Sequence, residues 1–222
     1  MISRALGPEG TLARATWASP PWPLAAPDGS EATALTSTVR PLRPGQPIVL
    51  GAEGPGNVAL AREIADGWIA TYYSPYRDSH YRDALALGAA RPGARRAGGD
   101  FEVIGTVPVV LGDDTEAAAD QLRPVFAAFI GPAGRNFHAQ ALIRMGHEDI
   151  VSTVSALWTE GKHNQAAAAI PTWLVEQLAL IGPRGKIREE LPAWRDSLLT
   201  TLVVYAPLRA QILGQVAELI LG

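Results

Sequence analysis

The sequence contains no cysteine, has a small net charge and has no long hydrophobic run. Without cysteine, disulfide bonds, thiolate catalysis and thiolate zinc sites are excluded. A net charge of -3 offers no basic face of the kind that non-specific nucleic-acid binding requires. No apolar run reaches the roughly 18 residues of a membrane span, and the first residues lack the apolar core of a signal peptide. We therefore expect a soluble cytoplasmic protein that binds neither nucleic acid nor membranes.

The composition changes near residue 46. Residues 1–47 hold eight of the 18 prolines and show little periodicity. Because proline fixes φ and removes a hydrogen-bond donor, we predict an irregular N-terminal segment over residues 1–46. Residues 47–222 are predicted to form one folded unit with a sizeable core.

Strand and helix patterns alternate after Pro47. Buried strands are predicted at "PIVLGA", "WIATYYS", "FEVIGTVPVVLG" and "TTLVVYA", with helices between and after them. Gly67 is predicted to end the first helix, and residues 84–99 are predicted to be a mobile surface connection. In the helix that follows the third strand, Asp113 is the predicted cap, and Pro124 is predicted to kink or break the helix. The alternation predicts an α/β fold with a parallel sheet.

The first strand–helix turn, "GAEGPGN", is rich in glycine. The helix that follows this turn has the positive end of its dipole at its N-terminus. The N–H groups of Gly56 and Asn57 are predicted to lack partners within that helix. Glycines without Cβ atoms at Gly51, Gly54 and Gly56 would let a phosphate approach the backbone. The pattern matches neither G-x-G-x-x-G nor a P-loop, so from spacing alone the turn is either a phosphate site or a plain tight corner.

Two tyrosines, Tyr72 and Tyr73, follow the second strand at its predicted carboxyl end. They are candidates for a substrate pocket, because tyrosine can stack on a ring or donate a hydrogen bond. The alternative is packing beneath the next loop. The four histidines are scattered without metal-ligand spacing, so no metal site is expected. No nucleophile–base pair stands out, and the catalytic residues stay unassigned.

Several stretches together resemble the luciferase-like monooxygenase superfamily, and more closely its F420-dependent oxidoreductase branch. They are "RPLRPGQPIVLGAEGPGNVALAREIADGWIATYYSP", "FEVIGTVPVVLGDD", "GRNFHAQALIRMG" and "AAAAIPTWLVEQLALIGPRGKIREELPAWRDSLLTTLVV". The likeness runs from about Val39 to Val204. It implies a TIM (β/α)8 barrel that transfers hydride with a flavin-type cofactor, coenzyme F420 or alternatively FMN.

On that barrel the four predicted strands would be strands five to eight, with a helical insertion before the last strand. Residues 47–222 would then form the C-terminal half of the barrel, and the chain would be a truncated form without the first four strands. The loop after the fifth strand faces the cofactor phosphate in relatives, so the resemblance implies cofactor-binding residues there, with Glu53 facing the cofactor through its backbone. These residues are Gly51, Ala52, Glu53, Gly54, Gly56 and Asn57.

A half barrel would leave two unpaired strand edges and an exposed apolar face. The expected consequence is self-association, or a partner that covers the open face. Three functions follow as alternatives. The first is an F420- or FMN-dependent oxidoreductase or monooxygenase acting on a small organic substrate. The second is a non-catalytic half-barrel remnant or interaction module. The third is a separate α/β domain that binds another phosphorylated ligand.

Overall fold

The structure, a computed structural model, describes residues 47–95, 100–134, 136–207 and 209–222. The chain divides into two units, Met1–Pro47 and Ile48–Gly222. The irregular segment predicted over residues 1–46 lies outside the described residues. In the second unit the strands are β1 (Val49–Gly51), β2 (Gly67–Ala70), β3 (Glu102–Leu111), β4 (Leu180–Gly182) and β5 (Thr201–Tyr205). The helices are α1 (Pro55–Ile64), α2 (Ser79–Ala89), α3 (Thr115–Ile130), α4 (Phe137–Arg144), α5 (Glu148–Thr159), α6 (His163–Ala168), α7 (Thr172–Leu178), α8 (Arg184–Arg195) and α9 (Ala210–Leu221).

The sheet is parallel, as predicted, and β3 is its central strand. β1 pairs with β2, and β2 pairs with the first half of β3 from Gly67 opposite Glu102. β5 also pairs with β3, from Ile104 opposite Thr201, and β4 pairs with its far end. Because all these pairs are parallel, the carboxyl ends of the strands meet at one edge of the sheet. That edge is where α/β folds place their ligands.

Helices α1 and α2 pack closely against each other. α2 occupies part of the stretch over residues 84–99 that was predicted to be a surface connection, so that prediction is wrong up to Ala89. Its buried positions include Tyr81, Leu85 and Gly88. A Cβ atom on Gly88 would lie 2.8 Å from Cβ of Arg62 on α1. Glycine therefore sets the distance between the two helices.

Gly67 belongs to a strand and does not end a helix. α1 ends at Ile64 with Ala65 as its cap, and Gly67 begins β2. A Cβ atom on Gly67 would lie 2.9 Å from Cβ of Glu102 on β3. The glycine therefore reflects close packing between adjacent strands.

The chain between β3 and β5 forms the helices α3 to α8 and the short strand β4. α3 begins after Asp114, whose side chain accepts the Glu116 N–H, so the predicted cap at Asp113 is displaced by one residue. The helix continues through Pro124, so of the predicted kink or break the break is wrong. Arg123 is buried and its guanidinium donates to the carbonyl of Ile170 at 2.8 Å. This contact ties α3 to the segment that leads into α7.

The core lies between the sheet and these helices. Its largest fully buried side chains include Trp68, Trp194 and Tyr73. Trp68 donates from Nε1 to the carbonyl of Ala52 at 2.7 Å, which fixes the loop after β1 against β2. Within the described residues, no helix is both long enough and apolar enough to cross a bilayer.

Candidate functional site

The loop between β1 and α1 holds the six residues that the sequence predicted to bind a cofactor. Gly51 ends β1, Gly54 is the α1 N-cap, and the first turn of α1 carries no acidic residue. Among the described residues, a Cβ atom built on Gly51, Gly54 or Gly56 meets nothing within 4 Å. The backbone here therefore faces open space large enough for a ligand group to approach.

The number of free donors in this loop is smaller than predicted. The Asn57 N–H donates to the Gly54 carbonyl at 3.0 Å, so the prediction that it lacks a partner is wrong. Pro55 at the first helical position has no N–H. The N–H of Gly56 is left as the first-turn donor that the helix itself does not use.

The carboxylate of Glu53 points into the protein. Its side chain is 7% exposed, and Oε1 lies 2.6 Å from Nδ1 of His138 on α4. Oε2 is buried without a hydrogen-bond partner among the described residues. Burial raises the pKa of this carboxyl, against the opposing attraction of His138 and Arg144. The backbone carbonyl of Glu53 accepts from Nη2 of Arg144 at 3.1 Å.

His138 sits among aromatic rings. Its ring centroid lies 4.9 Å from that of Phe129, 4.5 Å from that of Phe137 and 5.6 Å from that of Tyr72. The loop after β1, the segment after β2 and the start of α4 thus meet at this imidazole. Asn136 caps α4 by accepting from the N–H of His138 at 2.9 Å, which fixes the position of the histidine backbone.

Tyr72 has a strained backbone, with φ at 53°. A non-glycine residue in this region costs about 1 kcal/mol or more, so the surrounding contacts must hold it there. Its ring packs edge-on against Phe126 at 5.5 Å. Its hydroxyl is buried without a partner among the described residues, and burial raises its pKa. An unpartnered buried hydroxyl at a strained position is typical of a functional site.

A cavity of about 690 Å³ opens at the carboxyl ends of β2, β3 and β5. This volume is within the range of small-molecule pockets. Tyr72 and His138 both line it, and none of the described residues that line it is Lys, Arg, Asp or Glu. The other lining residues are Ile69, Thr71, Thr106, Pro108, Val109, Val110, Gln121, Leu122, Val125, Phe126, Phe129, Leu178, Tyr205, Ala206 and Pro207.

Tyr73 lies elsewhere. Its side chain is fully buried, and its ring stacks on Tyr81 with centroids 5.7 Å apart. Its hydroxyl donates to Asp78 and accepts the N–H of Leu198 at 3.1 Å. Tyr73 is absent from the described residues that line the cavity. These contacts favour the packing alternative for Tyr73, whereas Tyr72 lines the pocket.

Sequence reasoning did not find His138 or Arg144 as site residues. Each is far from the glycine loop along the chain, and neither belongs to a spaced motif. A histidine two residues after a helix N-cap in an aromatic stretch, "NFH", was the available signal. Among the described residues no cluster of three or more His, Asp or Glu side chains could hold a metal ion.

The raised pKa of Glu53 predicts a pH-dependent stability. The folded state holds its proton above the ordinary pKa of 4.5, whereas the unfolded state releases it there. This group therefore lowers the free energy of unfolding as pH rises from 4.5 through the folded pKa. In Glu53→Gln we expect that loss to disappear, so the variant gains on the wild type as pH rises to 8. Urea unfolding at pH 4.5, 6 and 8 measures this gain.

The control is Glu160→Gln, whose exposed carboxylate pairs with Lys162 at the surface. Its stability relative to the wild type should change little with pH, because surface ion pairs contribute little. A stability difference between Glu53→Gln and the wild type that does not vary with pH would contradict the prediction.

Comparison with known proteins agrees with this architecture. A protein of Mycobacterium tuberculosis that bears the name of a coenzyme F420-dependent oxidoreductase is 41% identical over 182 residues, which cover 81% of this chain and 52% of that protein. The chain therefore spans about half the length of the curated relative that it matches.

Two solved structures share the fold. The coenzyme F420-dependent tetrahydromethanopterin reductase of Methanopyrus kandleri matches 78% of this chain and 48% of its own, with a TM-score of 0.59 and 18% identity. An F420-dependent secondary alcohol dehydrogenase, in complex with an F420-acetone adduct, matches 82% of this chain and 51% of its own, with a TM-score of 0.52 and 12% identity. The family model described as luciferase-like monooxygenase matches residues 14–201, most of the sequence. The chain thus belongs to the luciferase-like monooxygenase family.

Proposed function

We propose that this chain binds the phosphate of coenzyme F420 at the loop after β1 and serves in an F420-dependent oxidoreductase acting on a small organic substrate. One observation carries the proposal. No described residue lies within 4 Å of a Cβ atom built on the glycines of this loop, which lies at a helix N-terminus, and the carboxylate of Glu53 points into the protein. This arrangement favours an anion, because the helix dipole and the Gly56 N–H attract it and the Glu53 carboxylate is turned away from it.

The residues present fit such a group. Gly51, Gly54 and Gly56 leave room for phosphate oxygens, and the Gly56 N–H can donate to one of them. The Glu53 carboxylate points into the protein, so it does not repel a phosphate as an exposed carboxylate would. The bound cofactor would supply hydride transfer. The chain's own part is to hold the phosphate and to present the neighbouring cavity to a substrate.

The preference for F420 over FMN rests on the M. tuberculosis relative, whose name specifies that cofactor. The identity of 41% and the coverage of 81% of this chain support carrying the cofactor class over. FMN stays the alternative, and the experiment below compares the two directly.

We further propose that β1, β2, β3 and β5 correspond to strands five to eight of a barrel. Their parallel order and the helical excursion before β5 support this assignment. Among the described residues, β1 pairs only with β2, and β5 pairs only with β3. Such edges recruit further strands, so we propose that a second copy of the chain or another polypeptide covers them.

The test is a fluorescence titration of the purified chain with F420 and, separately, with FMN, run beside a sizing column. We expect saturable F420 binding by a defined species. A Gly56→Glu substitution should weaken F420 at least 10-fold, because it places a carboxylate beside the phosphate at close range. The same substitution should leave the free energy of unfolding unchanged or raise it by about 0.5 kcal/mol, since acidic residues are favoured in a first turn.

Gly185→Glu is the matched control. Gly185 occupies the same second position in α8, and a Cβ atom there also meets no described residue within 4 Å. This variant should keep wild-type F420 affinity. Equal loss in both variants would place the phosphate elsewhere. Failure of the wild type to bind either cofactor in any assembly state would instead favour a non-catalytic half-barrel module.

A further inference from the structure

A second groove, of about 270 Å³, is lined by residues of α7, of α8 and of the short 3₁₀ helix Pro75–Arg77. Its described lining residues are Tyr76, Trp173, Glu176, Gln177 and Glu190. None of them lines the cavity of about 690 Å³, and none belongs to the loop after β1. The groove is therefore separate from the candidate cofactor site. Its volume lies just below the range of drug-sized pockets and suits a small organic ion.

Two aromatic side chains of this groove are exposed to solvent. Trp173 is 47% exposed and Tyr76 is 52% exposed. Aromatic side chains usually bury most of their large apolar surface. The face of an aromatic ring is partly negative and attracts cations, and tryptophan does so most strongly. Two exposed rings in one groove therefore offer a surface to which an organic cation can bind.

The carboxylates of the groove outnumber the cation that they contact. Nζ of Lys186 lies 3.1 Å from Oε1 of Glu176 and 2.6 Å from Oε1 of Glu190. One positive charge is thus shared between two negative charges. Oε2 of Glu190 is buried and has no hydrogen-bond partner among the described residues. The three side chains together leave one unit of negative charge beside the two rings.

We propose that this groove binds a quaternary ammonium ion, held against the rings of Trp173 and Tyr76 and attracted by the charge of Glu176 and Glu190. The site is a further binding function of the chain. It does not rest on the proposed function, because no residue of the groove takes part in the cofactor loop.

The groove suits a cation that needs no hydrogen bonds. A primary ammonium has three N–H donors, and each needs an acceptor when the ion leaves water. The Oε1 atoms of Glu176 and Glu190 already contact Lys186. Oε2 of Glu190 and Oε1 of Gln177 are buried. A quaternary ammonium has no N–H group to satisfy, and aromatic rings recognise it through its charge.

The hydroxyl of Tyr76 responds to the negative charge of the groove. Burial raises the pKa of this hydroxyl, the charges of Glu190 and Glu176 raise it further, and the charge of Lys186 lowers it. The same negative charge that disfavours a phenolate favours a bound cation.

Two further basic side chains, Arg77 and His147, lie near the groove without belonging to its described lining. His147 is buried, and its ring centroid lies 5.4 Å from that of Trp173. Burial lowers the pKa of His147 and the charge of Arg77 lowers it further, so the imidazole is neutral at pH 7. It therefore does not repel a cation that binds to the Trp173 ring.

The test follows the indole N–H signals of the ¹⁵N-labelled chain, which has six tryptophans. The Trp173 signal is assigned by its loss in Trp173→Phe. Choline should shift this signal saturably, and its neutral isostere 3,3-dimethylbutan-1-ol should bind about 10-fold more weakly or less. Equal affinities of the two probes would overturn the role of the charge. A Trp173 signal that choline does not shift would overturn the site.

Ethanolamine tests the kind of cation. It has the hydroxyl and the charge of choline, but its ammonium is primary. Because its N–H donors would lose water without gaining acceptors, we expect it to bind about 5-fold more weakly than choline or less. An ethanolamine affinity equal to that of choline, or higher, would overturn the assignment to quaternary ions.

Glu190→Gln should weaken choline binding about 5-fold or more, because it removes the remaining negative charge of the groove. Glu189→Gln is the matched control. It makes the same change at the next residue of α8, which is exposed and absent from the described lining, and it should keep wild-type affinity. Both variants should unfold in urea as cooperatively as the wild type. Equal choline affinity in Glu190→Gln and the wild type would overturn the proposal.

The last arm separates the groove from the cofactor site. Trp173→Leu should lose choline binding, measured through the methyl signal of choline itself, and should keep wild-type F420 affinity. Loss of both ligands in this variant would overturn the separation of the two sites. The choline titration needs neither cofactor nor turnover. Its failure would leave the proposed function standing, and a wild type that binds choline but not F420 would overturn the proposed function alone.

Discussion

Replacing Gly88 with alanine is expected to lower the free energy of unfolding by about 3 kcal/mol. A Cβ atom at this position would overlap the backbone carbonyl oxygen of Ala59 and lie 2.9 Å from the carbonyl carbon of the same residue. Backbone in the middle of α1 cannot yield as a flexible side chain does. The two helices must move apart, which opens gaps throughout their interface. Urea unfolding of the variant beside the wild type measures the loss.

Gly214→Ala is the control for helix propensity. Gly214 lies inside α9, and in the part of the chain that the structure describes a Cβ atom there meets nothing within 4 Å. Alanine is favoured over glycine in a helix interior by about 1 kcal/mol, so this variant should be slightly more stable than the wild type. The two substitutions are chemically identical, and their difference isolates the α1–α2 packing. Similar stabilities of Gly88→Ala and Gly214→Ala would show that the helices are not in close contact at Gly88.

Asp66→Asn is expected to lower the free energy of unfolding by about 3–5 kcal/mol. Asp66 is 4% exposed, and its carboxylate accepts the N–H of Ile48 at 2.8 Å and Nε of Arg95 at 2.9 Å. It therefore connects the start of β1 to the chain beyond α2. An amide at this position turns a donor toward one of these donors and removes the negative charge that Asp66 places beside the guanidinium.

A double-mutant cycle with Arg95→Met tests the cause. If the loss comes from the pairing of Asp66 with Arg95, Asp66→Asn should cost much less in the Arg95→Met background. Glu160→Gln, which removes an exposed ion pair with Lys162, should change stability by less than about 0.5 kcal/mol. A cost of Asp66→Asn that is the same in both backgrounds would contradict the pairing argument.

The fold was predictable where the sequence pattern is long and apolar. β3 is ten residues long and has buried valines at alternating positions, so the two-residue period of a strand is clear. α2 was missed because its buried face is made partly of small residues, Ala84 and Gly88, which give a weak amphipathic signal. β4 was missed because its three residues continue the apolar pattern of α7. Short strands carry too few residues to show a period.

The glycine loop was predictable because its pattern is local, whereas its neighbours were not. Glu53 and His138 are 85 positions apart, and only the tertiary fold brings them to 2.6 Å. The sequence argument expected the backbone of Glu53, more than its carboxylate, to face the cofactor, but it gave no reason to expect an imidazole beside that carboxylate. The strained φ of Tyr72 likewise follows from packing against α3 and has no mark in the sequence.

The pairing of β5 with β3 has a consequence for the order of folding. Ile104 and Thr201 pair across 97 residues of chain. Closing a flexible loop of that length costs about 4 kcal/mol in entropy, before any constant term. The intervening helices reduce that cost only once they have packed, as through the contact of Arg123 with Ile170. We therefore expect β5 to join the sheet last, so that the cavity wall bearing Tyr205 is completed at the end of folding.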